Sequence, residues 1–228
     1  MSVQSSPAAQ DYLKALYLEA EHHGTDERVP QTISTSAVAQ RLGVTAASAT
    51  NMLKKLAEAG MVEHSPYKGA RLSDRGREAA LEVIRHHRLL ETFLSTTLGV
   101  PWDRVHAEAE VLEHVLSEDL EERIAASLGD PARDPHGHPI PSRDLQVTSA
   151  GGSALWGVPE NIAVNVVRVS DEHPEVLRYL AEIGIAPGVS IQITKRGPFG
   201  GPIFLRVGNG GEETFALSRE VAERIWVA

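Results

Sequence analysis

The feature that most constrains the fold is a pair of short helical stretches joined by a glycine-containing step. Residues 35–42 and 45–59 carry apolar side chains at helical spacing, and Gly43-Val44 separates them. Two helices joined by such a turn are typical of a helix-turn-helix. Thr45 is a suitable N-cap for the second helix, and Gly60 stands where a C-terminal glycine would end it.

Two short β-like runs, 61–64 and 70–72, follow the second helix and predict a wing around a turn at 66–69. Many small helical domains contain a helix–glycine–helix step, so the wing and its basic residues are what favour DNA binding. Small side chains let a helix approach base edges, while Lys side chains contact phosphates. The candidate contacts are Thr45, Ala47, Ser48, Thr50 and Asn51 for bases, and Lys54, Lys55 and Lys68 for phosphates.

The charge distribution divides the chain although its net charge is −9. Residues 35–77 hold seven Lys or Arg against three acids, whereas residues 86–160 hold five Arg against thirteen acids. A basic module beside an acidic one is typical of a protein that contacts phosphates with one part and cations with another. The chain has no cysteine, which excludes disulfides, Cys-ligated zinc and iron–sulfur clusters. No signal peptide or membrane span is expected, and we predict a cytoplasmic protein.

The rest of the chain predicts a helical region followed by a small β domain. Helices are expected over 7–23, from a cap at Ser73 to 98, over 103–116, and from a cap at Ser117 to 128. Turn-rich stretches at 24–31, 130–144 and 146–160 separate the regions. Beyond them, β runs at 162–169, 189–195, 203–207 and 214–217, with a helix at 174–182, predict a five-stranded or SH3-like barrel. The predicted fold class is mainly α with a small β domain.

The strongest chemical signal is a helix that carries two acids and two histidines within an arc of about 100°. These residues are His106, Glu110, Glu113 and His114. The preceding helix offers a second pair, His87 and Glu91, one turn apart on one face. Interleaved carboxylates and imidazoles beside an apolar stripe favour a divalent-metal site over a solvated acidic face.

Two other functional classes are alternatives. The stretch 110–114 differs by one residue from the inverted zinc-protease pattern H-x-x-E-H, because Glu110 replaces the first His. The sequence has no H-E-x-x-H, nucleophile elbow or P-loop, so we do not predict an enzyme such as a metallohydrolase. A winged-helix regulator with a small organic effector is the second alternative, and its DNA binding would be insensitive to chelation.

Five stretches carry a resemblance to a known family. They are DYLKALY (11–17), VAQRLGV (38–44), RHHRLLE (85–91), VHAEAEVLEH (105–114) and PHGHPIP (135–141). In this order they resemble the diphtheria-toxin-repressor family of metal-dependent transcriptional regulators, over essentially the whole chain. The resemblance implies a winged-helix domain at 1–72, a helical dimerisation and metal-binding domain at 73–145, a linker at 146–160 and an SH3-like domain at 161–228.

The resemblance also implies two metal sites. One is matched by His87, Glu91 and His106, and the other by Asp11, Glu110, Glu113 and His114. In some members the third domain adds ligands to the first of these sites, and Glu172 and Glu175 are the nearest match here. His136 and His138 lie in a loop that other members share and are interpreted as structural.

The type of ligand indicates the metal. The iron-responsive branch has Met and Cys where this chain has Asp11 and Glu110, and the carboxylates resemble the manganese-responsive branch. Lys14 departs from that branch, which has an acid there. Carboxylates favour a hard ion, so we expect Mn(II), with Fe(II) as the other candidate and Zn(II), Co(II) or Cd(II) as substitutes in vitro.

Together these features predict a homodimeric repressor that binds a palindromic operator in double-stranded DNA when loaded with Mn(II) or Fe(II). It would control metal-homeostasis genes. An ion held by Asp11 and by the acids of the dimerisation domain would couple that domain to the first helix. The two recognition helices would then lie roughly 34 Å apart, or a multiple of that distance.

Overall fold

The structure, a computed structural model, describes residues 6–22, 32–65, 68–208 and 213–228. The predicted break at 24–31 and the first half of the wing turn, 66–67, lie outside the described residues. The chain forms two compact units. The first consists of the described residues of 1–86 with 113–115 and 143–145; the second consists of those of 87–112, 116–142 and 146–228. Within the described ranges, no helix is long and apolar enough to cross a membrane.

Three helices of the first unit form the predicted helix-turn-helix region. They are α1 (Pro7–His22), α2 (Thr35–Arg41) and α3 (Ala46–Glu58). Ser34 and Thr45 cap α2 and α3, since each hydroxyl accepts a backbone N–H three residues ahead at 3.1 Å. The α3 stripe that packs into the core consists of Ala49, Leu53 and Leu56. Met52, predicted to be buried with them, is half-buried.

An antiparallel hairpin follows α3 and matches the predicted wing. Its strands are β1 (Val62–Ser65) and β2 (Gly69–Leu72). Ile33 pairs with Ala70 through N–H···O bonds of 2.8 Å in both directions. Gly69 has a φ of +105°, and a Cβ there would lie 2.1 Å from the Ile33 carbonyl oxygen. Only glycine fits where the wing approaches residue 33.

Three more helices follow the wing: α4 (Asp74–Leu98), α5 (Val105–Leu112) and α6 (Glu118–Ser127). Both predicted caps are present, because Ser73 Oγ accepts the Gly76 N–H at 3.1 Å and Ser117 Oγ accepts the Leu120 N–H at 3.4 Å. In the second unit these helices share a core of Leu89, Leu90, Ala109, Ile124, Ala125 and Ile140.

The helix predicted over 103–116 is shorter, because it ends at Leu112 and leaves Glu113 and His114 in a turn. The Glu113 carbonyl oxygen lies 3.2 Å from His86 Nδ1, and its carboxylate accepts hydrogen bonds from Lys14. Such tertiary contacts override local helix propensity where no glycine or proline marks a stop.

The C-terminal part of the second unit is an antiparallel sheet of six strands in the order β3-β8-β4-β5-β6-β7. The strands are β3 (Ser153–Ala154), β4 (Ala163–Val169), β5 (Ser190–Arg196), β6 (Ile203–Val207), β7 (Thr214–Leu217) and β8 (Ile225–Val227), with α7 (Pro174–Glu182) after β4 and α8 (Arg219–Ala222) after β7. The predicted class, mainly α with a small SH3-like domain, is confirmed, with one strand more than the five expected. Leu155, expected in a linker, is fully buried in the core of this sheet.

The loop between α6 and the sheet approaches β4 closely. The Val169 N–H donates to the His136 carbonyl oxygen at 2.9 Å. Gly137 has a φ of +91°, and a Cβ there would lie 2.1 Å from the Val167 carbonyl oxygen. This approach brings the turn at 134–138 beside the end of β4.

Candidate metal centres and nucleic-acid interface

The first centre consists of three predicted ligands in the first unit: Asp11 on α1, and Glu113 and His114 after α5. His114 Nε2 lies 2.9 Å from Asp11 Oδ1 and 3.6 Å from Glu113 Oε1. His114 Nδ1 lies 2.8 Å from Gln10 Oε1. An amide oxygen can only accept, so Nδ1 carries the proton and the lone pair of the neutral ring is on Nε2. Two carboxylates and one imidazole nitrogen can therefore bind one cation together.

Lys14 lies one turn after Asp11 and forms a buried ion pair in this centre. Its Nζ lies 2.7 Å from Glu113 Oε2 and 3.0 Å from Glu113 Oε1. The side chain of Lys14 is 8% exposed, and that of Glu113 is fully buried. A protein ammonium group thus lies beside a predicted metal ligand, at the position that carries an acid in the manganese-responsive branch.

Glu110, predicted to join the first centre, belongs to the second unit. Its Oε1 lies 3.7 Å from His106 Nε2 and 3.8 Å from His87 Nδ1. Its assignment to the first centre stays a prediction.

The second centre consists of His87 and Glu91 on α4, His106 on α5 and Asp171 just after β4. Glu91 Oε1 lies 3.1 Å from His87 Nε2 and 3.4 Å from His106 Nδ1. His106 Nδ1 lies 3.5 Å from Asp171 Oδ2. Two imidazoles and two carboxylates are a donor set that suits Mn(II), Fe(II) and Zn(II).

The Glu91 carboxylate shows that the second centre fits a cation. Its side chain is fully buried, and neither oxygen has a hydrogen-bond partner among the described residues. Burial alone would raise the pKa of Glu91, but His87, His106 and His136 outweigh burial and hold that pKa well below its usual range. A buried ionised carboxylate requires a compensating positive charge, which a divalent ion would supply.

Protons supply this charge in the absence of an ion. Burial lowers the pKa of His106, but the carboxylates of Asp171 and Glu91 outweigh it and raise that pKa to about 10. Burial raises the pKa of Asp171, but His138 and His106 outweigh it and lower that pKa far below the usual range. A metal ion that binds His106 must displace this proton.

Asp171 is a candidate ligand that the sequence did not indicate. Among the described residues, the groups of converging ligand atoms include Asp171 but neither Glu172 nor Glu175. Glu172 is exposed, and Glu175 Oε1 lies 3.5 Å from His173 Nδ1. Alternate residues of a strand point to the same face, and Val169 at the end of β4 is buried. If this alternation is continued for two residues, Asp171 falls on the buried face and Glu172 on the opposite one.

The predicted DNA contacts lie on one exposed side of α3 and on the wing. All are exposed except Thr50, which is half-buried and whose hydroxyl donates to the Ala46 carbonyl oxygen at 2.8 Å. The Thr45 hydroxyl caps α3 and lies 2.9 Å from Ser48 Oγ. Asn51, Lys54 and Lys55 follow along the exposed face, opposite the buried stripe. The residues are placed as a recognition helix requires, and their contacts with DNA stay predictions.

Family models match nearly the whole chain. Residues 5–70 match the description "Iron dependent repressor, N-terminal DNA binding domain", and residues 73–142 match "Iron dependent repressor, metal binding and dimerisation domain". Residues 155–228 match "FeoA domain". The helix-turn-helix, the α4–α6 region and strands β4 to β8 of the sheet lie in these three ranges.

Individual relatives agree with the family models. The iron-dependent repressor IdeR of Mycobacterium leprae is 29% identical over 95% of this chain and 94% of its own. The diphtheria toxin repressor of Corynebacterium glutamicum is 34% identical over 80% of this chain and 81% of its own. A solved structure described as "Manganese-dependent transcriptional repressor complex with manganese" is 43% identical, with a TM-score of 0.87 over 96% of this chain and 99% of the other. These relatives are regulators and not enzymes. The chain belongs to the iron-dependent repressor family, a family of metal-dependent transcriptional repressors that includes the diphtheria toxin repressor.

Proposed function

We propose that this repressor responds to Mn(II) in preference to Fe(II), and that Asp11, Glu113 and His114, with Glu110, hold the activating ion. The observation that carries the proposal is the convergence of Asp11, Glu113 and His114 in one cluster without sulfur. Carboxylates favour harder ions, and Mn(II) is harder than the ions that select thiolates. The manganese-bound relative of 43% identity supports the same ion.

The second centre would bind a further ion through His87, Glu91, His106 and Asp171. A bound ion would supply two positive charges to carboxylates that protons otherwise balance. Zn(II), Co(II) and Cd(II) would also bind either centre in vitro, since imidazole and carboxylate donors do not exclude them.

The first centre would act on DNA binding through α1. Asp11 lies on this helix, and the Glu19 carboxylate farther along it accepts a hydrogen bond of 2.6 Å from Arg41 Nε on α2. Leu13 and Leu16 of α1 are buried in the same unit. A metal ion held by Asp11, Glu113 and His114 would therefore fix α1, and α1 supports the helix-turn-helix.

The proposed target is a palindromic operator that a homodimer reads with two copies of α3. Four large apolar side chains in the dimerisation region support association: Leu98, Val111, Leu112 and Leu120 are 62%, 71%, 38% and 48% exposed. Exposed apolar side chains mark an interface where they form a contiguous patch, and we propose that these four lie together in the dimer contact. We place this dimer in the cytoplasm, where it would control metal-homeostasis genes.

The test is operator binding by fluorescence anisotropy on DNA from upstream of the protein's own gene. We expect chelation to abolish binding and Mn(II) to restore it at a lower free concentration than Fe(II), measured without oxygen. Asp11→Ala should lose metal-stimulated binding and remain a dimer, whereas Asp119→Ala, on an exposed α6 side chain paired with Arg123, should behave as the wild type.

Two outcomes would contradict the proposal. Binding that survives complete chelation would favour a regulator with an organic effector. A normal metal response in Asp11→Ala would show that the first centre does not control α1.

A further inference from the structure

Three buried side chains outside both centres bring ligand atoms together in the turn at 134–138. Asp134, His136 and His138 each offer one ligand atom within 4.8 Å of the others. All three belong to the second unit. From the sequence alone, the two histidines are interpreted as structural. The hydrogen bonds of each residue show which of its side-chain atoms are available to bind a ligand.

The two carboxylate oxygens of Asp134 differ in their hydrogen bonding. Its Oδ1 accepts the backbone N–H groups of His136 and His138, both at 2.9 Å. Its Oδ2 is buried and has no hydrogen-bond partner among the described residues. Arg88 Nε lies 3.9 Å from Oδ2, beyond hydrogen-bond distance. The turn therefore fixes a carboxylate with one unsatisfied oxygen.

His136 is oriented in the way that metal-binding histidines are. Its Nε2 lies 2.8 Å from the Trp102 carbonyl oxygen, and its ring stacks on Trp102 with centroids 5.7 Å apart. A carbonyl can only accept, so Nε2 carries a proton and the lone pair of the neutral ring is on Nδ1. Metal-binding histidines usually donate their second N–H to such a carbonyl, which fixes the tautomer and the ring.

The Nδ1 atoms of His136 and His138 are the two remaining donors. Both are buried, and neither has a hydrogen-bond partner within the part of the chain that the structure describes. His138 Nδ1 lies 3.4 Å from Asp134 Oδ2. Three buried polar atoms without hydrogen bonds in one turn are costly unless a ligand satisfies them.

The alternative to a metal ion is protonation, since burial lowers the pKa of His136 but the carboxylates of Glu91, Asp171 and Asp134 outweigh burial and raise that pKa to about 9. A proton on His136 Nδ1 would need an acceptor, and Glu91 Oε1 lies 3.7 Å from that nitrogen. A proton on His138 Nδ1 would lie 3.4 Å from Asp134 Oδ2, without a hydrogen bond between the two atoms, and 4.0 Å from Asp171 Oδ2. None of these three distances is an ordinary hydrogen-bond length, whereas a cation between the three ligand atoms of the turn would bind all of them.

We propose that Asp134, His136 and His138 bind a divalent transition-metal ion of their own, in addition to the ions of the two centres in the proposed function. Two imidazoles and one carboxylate suit Zn(II), Fe(II) and Mn(II), and Zn(II) binds such donors more tightly than Mn(II). The site adjoins the second centre, because Glu91 and Asp171 of that centre lie next to its two histidines.

The first test counts ions. Equilibrium dialysis against buffered Zn(II), followed by metal analysis, should show that His138→Asn binds one ion fewer per chain than the wild type. Asp134→Asn should also bind one ion fewer, because an amide nitrogen replaces the ligand oxygen Oδ2. The amide oxygen can still accept the two backbone N–H groups, so the turn should keep its conformation. His173→Asn is the matched control, because His173 is a half-buried histidine of the same unit outside the site, and it should bind as many ions as the wild type.

The second test uses the wild-type chain, so it does not depend on how a variant folds. In ¹⁵N-edited NMR of metal-free protein, His136 should show a protonated Nε2. Added Zn(II) should shift the His136 Nδ1 resonance while Nε2 keeps its proton. The proposal would be overturned if His138→Asn bound as many ions as the wild type, or if it lost the second centre's ion together with this one. It would also be overturned if the His136 Nδ1 resonance did not respond to Zn(II).

These readouts are separate from the proposed function. Failure of Mn(II) to restore operator binding would contradict that function whatever the ion count, and an unchanged ion count would contradict only the additional site.

Discussion

The ion pair between Lys14 and Glu113 places a fixed positive charge inside the first centre. An incoming metal ion and the Lys14 ammonium both use Glu113, so they compete for the same carboxylate. Removing one partner of a buried pair leaves an uncompensated charge and costs about 3–5 kcal/mol. Lys14 should therefore stabilise the metal-free protein and weaken its response to metal.

We expect Lys14→Met to lower the unfolding temperature of metal-free protein and to enlarge the increase that Mn(II) produces. Differential scanning fluorimetry with chelator and with Mn(II) measures both effects. Lys195→Met, at an exposed lysine of β5, should change neither value. A wild-type temperature for metal-free Lys14→Met would show that the ion pair contributes nothing to stability.

On α3, Asn51 and Lys55 should differ in what they contribute to DNA binding. An amide that reads a base edge contributes about 1–3 kcal/mol to discrimination, whereas a lysine on phosphate strengthens binding to every sequence. We expect Asn51→Ala to lose affinity chiefly for the operator, and Lys55→Ala to lose it for operator and unrelated DNA alike and to reduce the salt dependence. Equal losses of both variants on both DNAs would refute these roles.

Among the elements, the wing depends on one close backbone approach. A Cβ on Gly69 would lie 2.1 Å from the Ile33 carbonyl oxygen, so Gly69→Ala should break the pairing of Ile33 with Ala70. Operator affinity should fall at least about tenfold, which corresponds to about 1.4 kcal/mol. Metal binding to the second centre, measured by dialysis, should be unchanged.

Gly43→Ala is the matched control for the wing. Gly43 also has a positive φ, +63°, but a Cβ there would meet no atom within 4 Å. Its substitution should therefore cost only the left-handed backbone conformation, about 1–2 kcal/mol. If Gly43→Ala impaired DNA binding as much as Gly69→Ala did, backbone strain would explain both and the Ile33 contact would not matter.

Elements with local boundary signals could be predicted from the sequence. Thr45 and Ser73 begin helices through their own hydroxyls, so α3 and α4 start where the sequence indicated. The end of α5 could not be predicted, because it depends on a contact between Glu113 and Lys14, 99 residues apart. The two-residue β3 has no pattern of its own and exists through pairing with β8 at the end of the chain.

The candidate site divides in the same way. Helical spacing identified the pair His87 and Glu91, because ligands one turn apart on a helix face lie together whatever the tertiary fold. His106 lies on another helix, and the resemblance to the family implied that it joins them. Asp171 follows a strand and joins them only through the fold of the second unit. The roles of Asp134, His136 and His138 depend on which of their atoms are hydrogen-bonded, and spacing alone does not show this.

For the whole molecule, the raised pKa of His106 links stability to pH. In metal-free protein the stabilisation from its proton is fully present below about pH 6.5 and is lost as the pH rises through about 10. The free energy of unfolding, measured with urea on chelated protein, should be larger for the wild type than for His106→Asn at the low end of this range. The difference should shrink as the pH rises. Metal affinity should rise over the same window, because the proton that the ion displaces is already leaving. A difference in the free energy of unfolding that stays constant with pH would contradict the role given to the His106 proton.

The donor atoms of both centres have a consequence for a cell exposed to peroxide. Sensors that bind their ion through thiolates lose it when the sulfur is oxidised to sulfenic or higher acids. The first and second centres contain only carboxylates and imidazoles, and the chain has no cysteine. Hydrogen peroxide therefore has no thiolate ligand to destroy, and the repressor should continue to report metal levels during oxidative stress.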